Sequence, residues 1–217
     1  MSKITSINDI QHIVYINLEH RTDRKEMIEN EIKKMGFVCD PIRFNAIYHT
    51  VGAVGCSKSH IECLEMAKRE GWTHVLICED DMWCTDSNVF TDSLNKFLSS
   101  DLQWDVLMLG GCNRNIPNNI LEYAFRTTSA SSAVAYLVNE IYYDTLLNNF
   151  KDGVPQLERN PLSHYYNAID RYWNRLQERD NWYLLYPLTV TQYPGYSDIG
   201  NARSDNSQYL LNLITPE

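Results

Sequence analysis

The chain has 217 residues, 44% of them hydrophobic, with 19 basic against 28 acidic side chains and a formal net charge of -9. That length supports one sizeable core and is short for two full domains, so a single domain over 1–217 is expected. The acidic balance and the absence of a long basic run argue against nucleic acid or an anionic membrane surface as partner.

The opening MSKITSINDI lacks the apolar core of a secretory leader, and no stretch approaches the ~20 apolar residues of a membrane span. The six cysteines (Cys39, Cys56, Cys63, Cys78, Cys84 and Cys112) show no CxxC spacing and no paired Cys/His pattern of the zinc type. A reducing, cytoplasmic setting is the expectation.

His12 to Leu18 reads as a first buried strand. Thr22 or Asp23 then caps a helix that runs to Met35 and is closed by Gly36. Its apolar stripe is Met27, Ile28, Ile32 and Met35. Arg21 and Arg24 fall at its first turn, where the helix dipole prefers acids; a bound anion would explain them, and so would an ordinary surface position. Phe37 to Phe44 reads as a second strand interrupted by Pro41, followed by a loop over Asn45 to Val54. The piece GCSKSH, Gly55 to His60, leads with Ser57 as a possible N-cap into a helix over Lys58 to Glu70, closed by Gly71. His60 faces either a site or the core.

Thr73 to Asp81, THVLICEDD, is a short apolar run that ends in three consecutive acids. Val75 to Cys78 suit a strand buried on both faces. Glu79, Asp80 and Asp81 repel one another there, and a hard divalent cation would relieve the repulsion. Ligands of open α/β sheets bind beyond the carboxyl ends of the strands. Alternation puts Glu79 and Asp81 on one side and Asp80 on the other, so either aspartate can be the direct ligand.

Further on, Met82 to Asp86 reads as a loop, Asn88 to Leu98 as a helix and Asp105 to Leu109 as a buried strand. A loop over Cys112 to Asn119 precedes strands at Tyr123 to Thr127 and Ala133 to Val138. The small residues Ser129 to Ser132 suit close approach of a ligand or of backbone. A helix over Asn139 to Phe150 is followed by a loop over Lys151 to Ser163, with Gly153, Pro155 and Pro161. Tyr165 to Arg179 reads as one helix with Ile169, Tyr172, Trp173 and Leu176 inward and Asp170 beside that stripe. A last strand covers Trp182 to Leu188, a loop covers Thr189 to Asn206, and Tyr209 to Ile214 reads as a short docking helix. The alternation predicts an α/β fold with a largely parallel sheet.

Three pieces stand in order: YINLEHRTDR (Tyr15 to Arg24), GCSKSH and HVLICEDD. With Pro187, Gln192 and the triplet Ser197-Asp198-Ile199 they resemble glycosyltransferase family 25, which includes lipopolysaccharide and collagen galactosyltransferases. The resemblance runs from about His12 to Ile199 and leaves Asn113 to Ser132 unmatched. It implies a GT-A-type nucleotide-binding sandwich with a mostly parallel mixed sheet flanked by helices. It also implies a UDP-sugar donor, Mn²⁺ or Mg²⁺ as metal, inversion at the anomeric carbon, and a glycan or glycoprotein acceptor. Carried over by position, Asn17, Leu18, Arg21 and Arg24 lie near the nucleotide, Gly55, Ser59 and His60 support or line the donor site, and Gln192 belongs to the same site. Asp80 and Asp81, with Glu79, match the metal motif. Asp170 is the first candidate for catalytic base and Asp198 the second, or Asp198 completes the metal shell. Two other readings stand beside this one. A sugar nucleotidyltransferase would need a Gly-rich, Lys-containing loop near the first strand, which is absent from the sequence. A catalytically silent member would bind a sugar or a partner as a module.

Overall fold

Two apolar clusters, one on each face of a central sheet, organise the chain. The computed structural model describes residues 4–117, 119–197, 199 and 202–212. In chain order the elements are β1 (Ile13–Asn17), α1 (Thr22–Lys34), β2 (Ile42–Asn45), α2 (Gly52–Arg69), β3 (His74–Glu79), β4 (Met82–Cys84), α3 (Ser87–Ser99), β5 (Val106–Asn113), β6 (Ala124–Arg126) and β7 (Ala130–Asn139). They continue with α4 (Tyr143–Arg159), α5 (His164–Asn167), α6 (Ile169–Tyr172), α7 (Asn174–Gln177), β8 (Trp182–Leu185), β9 (Val190–Gln192), β10 (Gly195–Ser197), β11 (Ala202–Ser204) and α8 (Ser207–Leu210).

The seven-stranded sheet has the order β2-β1-β3-β7-β5-β8-β6. The pairs β1–β2, β1–β3 and β5–β8 are parallel, whereas β7 is antiparallel to β3 and β5, and β6 to β8. Strands β2, β1, β3, β5 and β8 therefore run one way, and the mixed, mostly parallel sheet expected from the sequence is present. Every residue of β1 is buried, as its unbroken apolar run requires. Alternating side chains separate the faces. Val14 and Ile77 join Leu64 of α2 and Phe150 of α4 on one side. Tyr15, Leu76 and Cys78 join Ile28 of α1 and Phe90 of α3 on the other.

Gly36 and Gly71 follow α1 and α2 with φ of 92° and 68°, the left-handed turn that closes a helix and favours glycine. Other boundaries differ from expectation. Helix α2 starts at Gly52, and Ser57 is inside it, where its hydroxyl donates to the Ala53 carbonyl at 2.7 Å instead of capping. The cap of α3 is Asp86, whose carboxylate accepts from Asn88 N and Val89 N, a contact worth about 1 kcal/mol. Helix α4 continues through Gly153 and Pro155, expected as loop, because Leu146, Phe150, Val154 and Leu157 form one buried stripe. Burial of ~1.5–3 kcal/mol per such side chain outweighs a proline cost of ~3 kcal/mol. The helix expected over Tyr165 to Arg179 is divided, since Ala168 is extended at φ -60° and ψ 148°.

The tail is also less irregular than its composition suggests. β9 pairs with β4, itself expected as loop, and β10 pairs with β11. Gly110 permits the crossing of β9 over β5, for a Cβ there would lie 2.6 Å from the Val190 carbonyl oxygen.

A similar approach holds α2 against the segment 46–49. A Cβ on Gly55 would lie 2.5 Å from the Ile47 carbonyl oxygen and 3.2 Å from His49 N, both backbone atoms. Gly55→Ala is expected to cost about 1–3 kcal/mol, read from the urea unfolding midpoint at unchanged m-value.

Candidate functional site

Strand β3 delivers its acids to the carboxyl edge of the sheet. Its register with β1, Ile16 opposite Glu79, sets Asn17 beside Asp80. The Asn17 amide donates to Asp80 Oδ2 at 2.8 Å and to the Arg21 carbonyl at 3.0 Å, while its oxygen accepts from Arg43 Nε at 3.0 Å. From the first turn of α1, Arg24 Nη1 donates to Asp80 Oδ1 at 2.7 Å and to Asp81 Oδ2 at 3.3 Å. Its Nη2 donates to the Tyr196 carbonyl of β10 at 2.7 Å. Both oxygens of Asp80 are thus engaged by protein groups.

Glu79 and Asp81 share a different partner. The pairing of Met82 with Gln192 brings β9 alongside, and Tyr193 N donates to the Asp81 carbonyl at 2.7 Å. Gln192 Nε2 then donates to Glu79 Oε2 at 3.1 Å and to Asp81 Oδ1 at 3.3 Å. The two carboxylates converge on one neutral amide. Burial, then the Glu79 charge, pushes the Asp81 carboxyl up to about 7, with Arg24 opposing. Burial also raises Asp80, against the lowering effect of Arg24.

These acids form the floor of a cleft of about 520 Å³. Leu18 and the segment Ala46 to Thr50 wall one side, and Tyr193, Gly195 and Ser197 of the tail wall the other. Ser59 reaches the wall and also ties the segment down: its hydroxyl accepts from Ile47 N at 2.9 Å and donates to the Gly55 carbonyl at 2.8 Å. His60 is fully buried and also borders the cleft, with Nδ1 2.8 Å from the Tyr136 hydroxyl and Nε2 3.8 Å from Glu79 Oε1. Cys56, one helical turn earlier, donates its thiol to Glu79 Oε1 at 3.7 Å; burial and the Glu79 charge keep that thiol protonated.

Of the residues singled out in the sequence, Leu18, Arg24, Ser59, His60, Glu79, Asp80, Asp81 and Gln192 come together around this cleft. Asn17 and Gly55 lie behind its wall as supports, through the contacts given above. Arg21 forms a two-point pair with Asp23, at 3.0 and 2.9 Å. Asp170 sits beside the cleft rather than among the residues that line it, within electrostatic reach of Glu79 and Cys56, and its Oδ2 accepts from Ser132 N at 3.0 Å. Ser132 has a φ of 76°, a left-handed conformation that costs a non-glycine residue of order 1–2 kcal/mol, and the Asp170 bond holds it. Burial raises the Asp170 carboxyl, with Arg171 opposing. Asp198, the other candidate base, is outside the described residues. Cys56, Tyr193 and the Tyr196 carbonyl are site groups that the sequence does not single out. The i, i+4 spacing of Cys56 and His60 on one helix face is a legible signal; the tail contacts, set by the short pairings of β9 with β4 and of β10 with β11, are not.

No family model and no curated protein matches this sequence, so the resemblance to family 25 is not matched by a family model. Solved structures do. A mannose-1-phosphate geranyltransferase from Thermus thermophilus superposes with a TM-score of 0.50 at 9% identity, over 81% of this chain and 73% of that one. A glycosyltransferase involved in glycosylation of the major capsid of PBCV-1 gives 0.43 at 8% identity, over 82% and 92%. The glycosyltransferase GlyE of Streptococcus pneumoniae TIGR4 gives 0.44 at 12% identity, over 82% and 46%. At these identities the first likeness concerns the fold alone, which is an α/β fold of the GT-A type.

Two outcomes follow from the electrostatics. Asp81 has a folded pKa of about 7 against an ordinary 3.8, so between these values the folded chain holds a proton that the unfolded chain does not. Stability contributed by this group therefore falls as pH rises from about 4 to about 7. Asp81→Asn is expected to remove that slope, with a gain in urea stability that grows over this range and levels off above it. Arg24 and Asp80 are 13% and 12% exposed at their side chains. Arg24→Met leaves Asp80 buried without its cation and is expected to cost about 3–5 kcal/mol, much of it recovered in the double variant with Asp80→Asn.

Proposed function

We propose that this chain is a divalent-metal-dependent glycosyltransferase that uses a nucleotide sugar, its donor a UDP-hexose and, by the resemblance to family 25, UDP-galactose. The observation that carries the reading is the convergence of Glu79 and Asp81 on Gln192 at the floor of a cleft beyond the carboxyl end of β3. The donor set is hard oxygen, the pair is held close by a shared amide, and burial with the Glu79 charge beside it raises the Asp81 carboxyl even though Arg24 opposes the rise. These features fit Mn²⁺ or Mg²⁺. Glu79 and Asp81 would hold the ion, and Asp80 is left to the ion pair with Arg24. When bound, such a cation stabilises charge that develops on a departing diphosphate.

The remaining roles belong to the chain itself. Arg24 is fixed by Asp80 and offers positive charge at the cleft wall, so it both neutralises the acids and attracts an anionic donor. Leu18 and the segment from Ala46 to Thr50 provide an apolar and aromatic wall suited to a nucleoside, and Ser59 keeps that wall in place. Gln192 orients both carboxylates. Inversion needs a base on the far side of the sugar from the diphosphate, to take the acceptor hydroxyl proton. Asp170 is proposed for it: its raised carboxyl suits a proton acceptor, and the Glu79 charge contributes to that rise.

The test is release of UDP from a panel of UDP-hexoses with and without Mn²⁺. Turnover with one donor, abolished by EDTA and reduced at least ~100-fold in Glu79→Gln and Asp81→Asn, is the expected result. Asp170→Asn should lose transfer to acceptor while donor affinity, read by calorimetry, is retained. Turnover that persists in EDTA refutes the metal role.

A further inference from the structure

The Cys56, His60 and Glu79 side chains meet on the flank of the cleft in a way that neither the core nor the proposed sugar transfer uses. Their ligand atoms all lie within 4.8 Å of one another. Cys56 Sγ is 3.7 Å and His60 Nε2 3.8 Å from Glu79 Oε1. Tetrahedral coordination at zinc–ligand lengths of ~2.0–2.3 Å sets neighbouring ligand atoms about 3.3–3.8 Å apart, so the two Glu79 spacings lie at or a few tenths of an ångström above the edges of such a site, a gap that small side-chain shifts close.

A second observation points the same way. His60 is 0% exposed, and among the described residues its Nε2 has no hydrogen-bond partner. A buried polar nitrogen left unpaired costs about 1–3 kcal/mol, and folding alone gives no return for it. The other ring nitrogen faces the Tyr136 hydroxyl at 2.8 Å. With Nδ1–H donating to that oxygen, Nε2 carries a lone pair directed at Glu79 and Cys56, which is how metal-bound imidazoles are oriented by an outer partner. Helical spacing places Cys56 and His60 on one face of α2, and the neighbouring strand supplies Glu79. Cys56 is half-buried at the cleft and His60 lies buried behind it, so an ion would enter past Cys56.

We infer that Cys56, His60 and Glu79 form a three-ligand site for a thiophilic divalent cation, zinc in particular, with its fourth position open to the cleft. The ligand set of one sulfur, one imidazole nitrogen and one carboxylate oxygen selects zinc over the hard ions that suit Glu79 with Asp81. Binding exchanges the thiol proton of Cys56 for the metal, and that proton leaves to solvent. Glu79 is common to both sets. On the transferase reading, which this consequence alone rests on, zinc at this site withdraws one carboxylate from the Mn²⁺ or Mg²⁺ position and lowers metal-stimulated turnover.

The full chain is titrated with Zn²⁺ in the presence of excess Mg²⁺ and no donor sugar, and separately with Co²⁺ as a spectroscopic substitute. The expected results are a single bound zinc ion, a thiolate-to-cobalt charge-transfer band in the native chain, and at least ~tenfold weaker zinc binding with loss of the band in Cys56→Ser. His60→Gln should weaken zinc similarly. Absence of the cobalt band in the native chain overturns the inference whatever the variants do, and so does unchanged zinc affinity in Cys56→Ser. Because no sugar nucleotide is present, failure here is separate from failure of the donor assay.

Discussion

Crowded negative charge at the end of β3 is the constraint that the surrounding elements answer. Glu79, Asp80 and Asp81 follow an apolar strand directly, so they leave the core at one edge of the sheet with little water between them. Three distant parts of the chain respond. Asn17 arrives on the neighbouring parallel strand, Arg24 from the first turn of α1, and Gln192 from the tail. Only one of the three is charged. The guanidinium makes its short contact with Asp80, which leaves the Glu79–Asp81 pair bridged by an amide that donates hydrogen bonds but carries no charge. Arg24 touches both aspartates, at 2.7 Å to Asp80 and 3.3 Å to Asp81, so the acids differ in how closely it engages each, and Glu79 is left to the amide.

Much of this is legible in the amino-acid sequence. The buried runs of β1 and β3, the glycine-closed helices and the acidic end of β3 follow from composition and periodicity over short windows. Alternation along an extended chain puts Glu79 and Asp81 together, but it does not tell which aspartate a metal would use. That depends on Arg24, and nothing local to β3 reports where α1 packs. The tail illustrates the same limit. Gln192 and Tyr193 are fixed by a three-residue pairing between β4 and β9, and so short a strand has no periodicity of its own.

Two local rules give way to packing. Gly153 and Pro155 are breakers by propensity, yet α4 runs through them because its buried stripe is continuous on both sides. Gly153 also leaves room for Tyr172, whose ring would lie 3.0 Å from a Cβ there. In the opposite sense, the helical spacing of Ile169, Tyr172, Trp173 and Leu176 is real, but the extended Ala168 separates them from α5. The Trp173 indole donates to the Ala130 carbonyl at 2.8 Å, and the Gln177 amide bonds both the N–H and the carbonyl of Ala130. These anchors position the start of β7, and with it Ser132 and Asp170.

The place of the tail has a consequence for the order in which the molecule becomes complete. The sheet receives its last strand at Trp182–Leu185. Gln192, Tyr193 and the Tyr196 carbonyl, which finish the cleft, come only afterwards. A chain leaving the ribosome can therefore pair its seven strands while the acids of β3 still lack one wall and one partner, and while one apolar layer still awaits Val190 and Leu210. Architecture and chemistry are partly separable in sequence: variation at Gln192 to Ser197 can reshape the cleft without touching any residue of the seven-stranded sheet, provided Val190 and Leu210 keep their place in the core.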